Sequence, residues 1–89
     1  MARLENRVAF ITGAGSGIAR SAAQKFANEG AKVVIAELQD NLGQQVETSI
    51  TDKGQDAKFI QTDVTQEESV KSAIQETVKH FGKLDILYN

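Results

Sequence analysis

Val8-Ala9-Phe10-Ile11 running straight into Thr12-Gly13-Ala14-Gly15-Ser16-Gly17 constrains this chain more than any other segment. Four apolar residues in succession leave no polar side for water. A strand made from them is covered on both faces, as strands of a parallel sheet are. The alternate glycines end that strand, and from Ile18 onward the apolar period changes to that of a helix. A parallel neighbour for the first strand has to be reached by such a crossover, because a tight hairpin delivers only an antiparallel one.

The remainder repeats the unit. Ile18, Ala22 and Phe26 make one predicted helical stripe, with Ala19, Ala23 and Ala27 beside it and Gly30 as the terminating C′ residue. Lys32 to Glu37 reads as a second apolar strand. Gln39 to Lys53 reads as a second helix, with Leu42, Val46 and Ile50 inward and Gly54 closing it. Ala57 to Thr62 alternates, which predicts a strand with one face more exposed. Thr65 is the expected cap of a third helix, with Glu68 completing an S/T-x-x-E capping box. Val70, Ala73, Ile74, Thr77, Val78 and Phe81 are its expected inward stripe, Gly82 stops it, and Leu84 to Tyr88 is the fourth strand. The order β-α-β-α-β-α-β predicts a doubly wound parallel α/β sheet of Rossmann type, cut after its fourth strand.

Composition narrows the function. At 89 residues the chain is too short for two domains, and an absence of cysteine removes disulfide, zinc-thiolate and thiol chemistry. Ten basic against 12 acidic residues give a net charge of −2, with no basic stripe for a nucleic acid. No apolar run reaches the roughly 20 residues of a membrane span. The first residues, Met1-Ala2-Arg3-Leu4-Glu5, lack the apolar core of a signal peptide, so the expected address is the cytoplasm. Leu84-Asp85-Ile86-Leu87-Tyr88-Asn89 reads as a strand halted where a loop should begin, so residues 1–89 read as part of a larger domain.

Candidate chemistry gathers at the carboxyl ends of the strands, where open α/β sheets bind ligands. Gly13, Gly15, Ser16, Gly17 and Ile18 place bare backbone N–H groups at a helix N-terminus, an arrangement suited to a pyrophosphate. A triphosphatase loop is excluded, since Gly17 is followed by Ile18 and not by Lys. Glu37, with Leu38 behind it, puts a carboxylate at the end of the second strand, where it can accept from both hydroxyls of an adenosine ribose and repel a 2′-phosphate. Asp63 and Val64 either meet an adenine, as acceptor and apolar wall, or form an Asx-type turn; the two are compatible. His80 reads as a surface residue, Asp85 as structural, and Tyr88 has no lysine at i+4 to make it a base. No metal-ligand set is seen.

These residues resemble the short-chain dehydrogenase/reductase family over the whole chain. Residues Thr12 to Ala19 are similar to its TGxxxGIG fingerprint, Glu37 to the acid of NAD-preferring members, and Asp63-Val64 to its adenine-contacting pair. Leu84 to Asn89 resembles the strand entering its NNAG motif, with Asn89 as the first asparagine, near the cofactor. Ala19 departs from the fingerprint's last glycine. The resemblance implies NAD as cofactor, a small-molecule alcohol or carbonyl as substrate, and a homo-oligomer. It also implies that the catalytic Ser, Tyr and Lys lie beyond Asn89, so this chain contains none of them. Two other readings stay open on the residues: a non-catalytic nucleotide-binding module and an S-adenosylmethionine-dependent methyltransferase-like domain. Since the proton-transferring residues are absent, the isolated 89-residue chain should show no dehydrogenase activity with NAD and a panel of secondary alcohols. Turnover that persists through repurification and disappears in Glu37→Ala would contradict this.

Overall fold

A computed structural model describes residues 3–13 and 17–88. The elements are β1 (Val8–Thr12), α1 (Gly17–Asn28), β2 (Lys32–Glu37), α2 (Asp40–Thr51), β3 (Ala57–Gln61), α3 (Glu67–Phe81) and β4 (Ile86–Tyr88). All strand pairs are parallel, in the spatial order β3-β2-β1-β4. The chain winds outward from β1 through β3 and then returns across the sheet to β4, so the topological switch falls between β1 and β4.

Alternation within the two central strands divides the core. Ile11, Val33 and Ile35 face α1 and α2, which contribute Ala19, Ala23, Ala27, Val46 and Ile50. Phe10, Val34 and Ala36 face α3, which contributes Ala73. Because helices cover both faces, Val8 to Ile11 and Val33 to Ala36 are all 0 % exposed, as their unbroken apolar runs predict.

The predicted stripes are corrected in two helices. In α1 the buried face is Ala19, Ala23 and Ala27, while Ile18 is 80 % exposed. Three methyl groups in line let the helix settle close against the sheet, and Ile18, in the first turn beside the strand ends, falls outside that footprint. In α3 the buried positions are Ala73 and Thr77, and Val78 is exposed because it lies at the margin of the same face. The helix stops are borne out. Gly30 is left-handed, with Ala31 N–H donating to the Phe26 carbonyl at 3.1 Å and Gly30 N–H to that of Ala27 at 3.0 Å, a Schellman arrangement. Gly82, also left-handed, ends α3 by donating to the Val78 carbonyl at 2.7 Å.

Close approach dictates a further glycine, near the start of α2. A Cβ on Gly43 would overlap the Phe59 ring, its Cζ atom at 2.7 Å, so the aromatic ring of β3 lies directly on the helix backbone. The same helix protects β3, an outer strand, since Glu47 Oε2 accepts the outward Phe59 N–H at 2.7 Å.

Strand β4 is shorter than Leu84 to Tyr88, beginning only at Ile86, because a side chain replaces its first ladder rung. Val8 N–H donates to Asp85 Oδ2 at 2.9 Å, and Asp85 N–H returns a bond of 2.9 Å to the Val8 carbonyl. Lys83 Nζ at 3.2 Å and Arg7 at 3.7 Å flank the carboxylate. Asp85 is thus structural, as expected. The bond from Val8, aided by these cations, holds its pKa below the ordinary aspartate value. A depressed native pKa stabilises the fold above the unfolded-state value of about 4 and loses that contribution as pH falls through the native one. Denaturant midpoints should therefore fall between neutral pH and about pH 3, and Asp85→Asn should flatten that acid limb while lowering the neutral-pH midpoint.

Candidate functional site at the strand carboxyl ends

The carboxyl ends of β1, β2 and β3 bring together Gly13, Glu37, Leu38, Asp63 and Val64, with the N-terminus of α1 beside them. Of the predicted site residues, Gly15, Ser16 and Asn89 lie outside the described residues.

Gly13 makes the tight turn assigned to it, at φ +67°. Its N–H extends the β1–β2 ladder, donating to the Ala36 carbonyl at 3.0 Å. Helix α1 starts at Gly17. A Cβ there would meet no heavy atom of the described residues within 4 Å, so internal packing among them does not account for glycine at this position. The space it leaves fits a ligand approaching the helix terminus closely. Ala19, the departure from the fingerprint, directs its methyl group into the core.

Glu37 ends β2 and is 9 % exposed, an uncommon setting for a carboxylate. Its Oε2 accepts the Gln39 N–H at 2.9 Å. Position and chemistry both fit the demand for an acceptor of ribose hydroxyls. Leu38 and Val64 project from neighbouring strand ends at 55 % and 57 % exposure, apolar surface suited to the flat face of a purine.

Asp63 forms the Asx-type turn. Its Oδ1 accepts from the Thr65 hydroxyl at 2.6 Å and the Thr65 N–H at 3.0 Å. Those bonds, the hydroxyl's first, hold the Asp63 pKa below its ordinary value, so the group stays an acceptor at neutral pH. They also overturn the expected capping box. With its hydroxyl committed to Asp63, Thr65 does not cap α3; Gln66 occupies the N-cap without a side-chain bond and the helix begins at Glu67. Ser69 ties the turn instead, its Oγ accepting the Asp63 N–H at 2.9 Å. Sequence spacing concealed this, since Thr65-x-x-Glu68 and Asp63-x-Thr65 are both local motifs and only one can take the hydroxyl.

Away from the strand ends, His80 is exposed and meets the Phe81 ring edge-on, with centroids 4.5 Å apart. Tyr88 packs edge-on to Phe26 at 5.9 Å. Among the described residues no group of three His, Asp or Glu side chains converges to hold a metal ion, and no helix is long and apolar enough to cross a membrane.

The family profile described as short chain dehydrogenase matches residues 7–89. The chain belongs to that family. An uncharacterized oxidoreductase of Thermotoga maritima is 44 % identical over 86 residues, spanning 97 % of this chain and 34 % of that protein. Secoisolariciresinol dehydrogenase of Forsythia intermedia is 46 % identical over 87 residues, spanning 98 % of this chain and 31 % of that protein. A solved 7α-hydroxysteroid dehydrogenase, complexed with NADH and 7-oxo glycochenodeoxycholic acid, superposes with a TM-score of 0.93 at 34 % identity, over 97 % of this chain and 34 % of that one. The chain spans about a third of the length of the curated relatives it matches. As a short-chain dehydrogenase segment it has the family's NAD(P)-binding Rossmann architecture, which sets the methyltransferase-like reading aside.

Ser69→Ala should lower stability by about 1 kcal/mol through the orphaned Asp63 N–H. Thr65→Ala should cost less in the same chemical denaturation series, because the Thr65 N–H still reaches Asp63.

Proposed function

We propose that this chain is the adenosine- and pyrophosphate-binding part of an NAD-dependent oxidoreductase that interconverts a small-molecule alcohol and its carbonyl counterpart. The observation that carries the reading is Glu37: a carboxylate at the end of β2, beside the Gly13 turn and oriented by the Gln39 N–H. Such a group accepts from the 2′- and 3′-hydroxyls of an adenosine ribose and opposes a 2′-phosphate by like charge in a site of reduced solvent access. NADH in the similar 7α-hydroxysteroid dehydrogenase supports the same choice.

Each residue has a task. Gly13 turns the chain, and Gly15, Ser16, Gly17 and Ile18 receive the pyrophosphate at the α1 terminus, where backbone N–H groups and the helix dipole favour negative charge. Leu38 and Val64 enclose the adenine, and Asp63, its pKa lowered by the bonds from Thr65, accepts from its exocyclic amine. By its resemblance to the family motif, Asn89 is assigned to the surroundings of the cofactor. When bound, NAD supplies hydride transfer. The proton-transferring Ser, Tyr and Lys belong to the rest of a larger dinucleotide-binding domain in a cytoplasmic homo-oligomer, with neither nucleic acid nor membrane as partner.

Steady-state kcat/KM for NAD and NADP in the native-length protein tests this. Glu37→Ala should weaken use of NAD and relieve the penalty on NADP, shifting relative preference by about 1–3 kcal/mol. An unchanged ratio would show that Glu37 does not meet the ribose.

A further inference from the structure

The carboxylate of Glu37 sits on three rotatable bonds, and its discrimination between a ribose diol and a 2′-phosphate depends on where it is held, because charge repulsion varies with distance. The backbone is fixed from the neighbouring strand's end, where the Glu37 carbonyl accepts from Thr62 N–H at 2.9 Å. The Gln39 N–H, at 2.9 Å from Oε2, orients the side chain. That N–H belongs to the turn between β2 and α2. The turn is tied at one end by the Gly43 N–H donating to the Gln39 carbonyl at 3.0 Å. At the other end the tie is a side chain from a different strand: Gln61 Nε2 donates to the Leu38 carbonyl at 3.1 Å. Gln61 is the last residue of β3 and stands opposite Glu37 in the parallel register. It is exposed, so packing does not ask for glutamine there.

We propose that Gln61 is a positioning residue for nucleotide selectivity, holding the Leu38–Gln39 turn so that the Gln39 N–H keeps the Glu37 carboxylate on the adenosine ribose. This rests on the NAD reading above. Glu37 makes the contact; Gln61 acts through two links, the Leu38 carbonyl and the Gln39 amide. Gln39 itself has φ −84° and ψ 114°, within reach of proline, so Gln39→Pro removes the donor with little change of backbone.

Isothermal titration of the native-length protein with ADP-ribose and with 2′-phospho-ADP-ribose provides the test. Wild type should prefer ADP-ribose. Gln61→Leu and Gln39→Pro should each weaken ADP-ribose roughly 3–10-fold and the 2′-phosphorylated ligand less, so that the ratio narrows in both. A merely structural role would weaken both ligands alike. Equal losses, or an unchanged ratio, would overturn the proposal, as would the unfolding of both variants in circular dichroism. If one variant unfolds, the other decides. A wild type that binds neither ligand, or shows no preference, would defeat the NAD reading itself, and that result appears before any variant is made.

Discussion

Burial of β1 and β2 on both faces is the condition for everything else in this molecule. Eight residues, Val8 to Ile11 and Val33 to Ala36, have no exposed surface at all. For the larger of them, leaving water contributes roughly 1.5–3 kcal/mol per side chain. That burial requires helices on both sides and therefore parallel crossovers, and these bring the ends of β1, β2 and β3 to one edge, where Gly13, Glu37 and Asp63 meet. The site is a consequence of how the core is closed.

A sheet of four short strands leaves many backbone N–H groups without a ladder partner, and this chain satisfies several of them with carboxylates. Asp85 receives Val8, Glu47 receives Phe59, Asp63 receives Thr65 and Glu37 receives Gln39. Charge-assisted bonds of this kind are stronger than neutral ones and fix geometry as well. In the first two cases the result is structural, since β4 is started in register on β1 and the outer edge of β3 is covered. In the last two the same device orients acids at the ligand edge. The outer side of β4 is less protected: Leu87 is 57 % exposed at the opposite edge of the sheet.

The contrast between Glu37 and Asp63 shows how similar acids acquire different settings. Glu37 is nearly buried, and a backbone donor from the turn that follows it, the Gln39 N–H, meets its carboxylate. Asp63 is gripped by both donors of Thr65, at the cost of the helix cap that Thr65 would otherwise have made.

The alternation of elements, the parallel class of the sheet, the glycine stops and the ligand edge were legible in one dimension. Each follows from local chemistry: β-branched runs without a polar face, a 3.6-residue period, glycine where a left-handed residue is needed. That Glu37 closes an apolar strand was legible too, while its burial and its bond from the Gln39 N–H came only with the structure. What tertiary structure alone decided is which of two adjacent stripes on α1 faces the sheet, since Ile18 and Ala19 offer equal periodicity and only close packing favours the smaller side chain. It also decided which partner takes the Thr65 hydroxyl, why Gly43 has no side chain, and how Gln61 comes to hold the turn beside Glu37. The Gly43 and Gln61 outcomes depend on distances between segments far apart in sequence, which no local pattern encodes. The Thr65 hydroxyl, by contrast, had two local partners in competition, and only the folded turn chose between them.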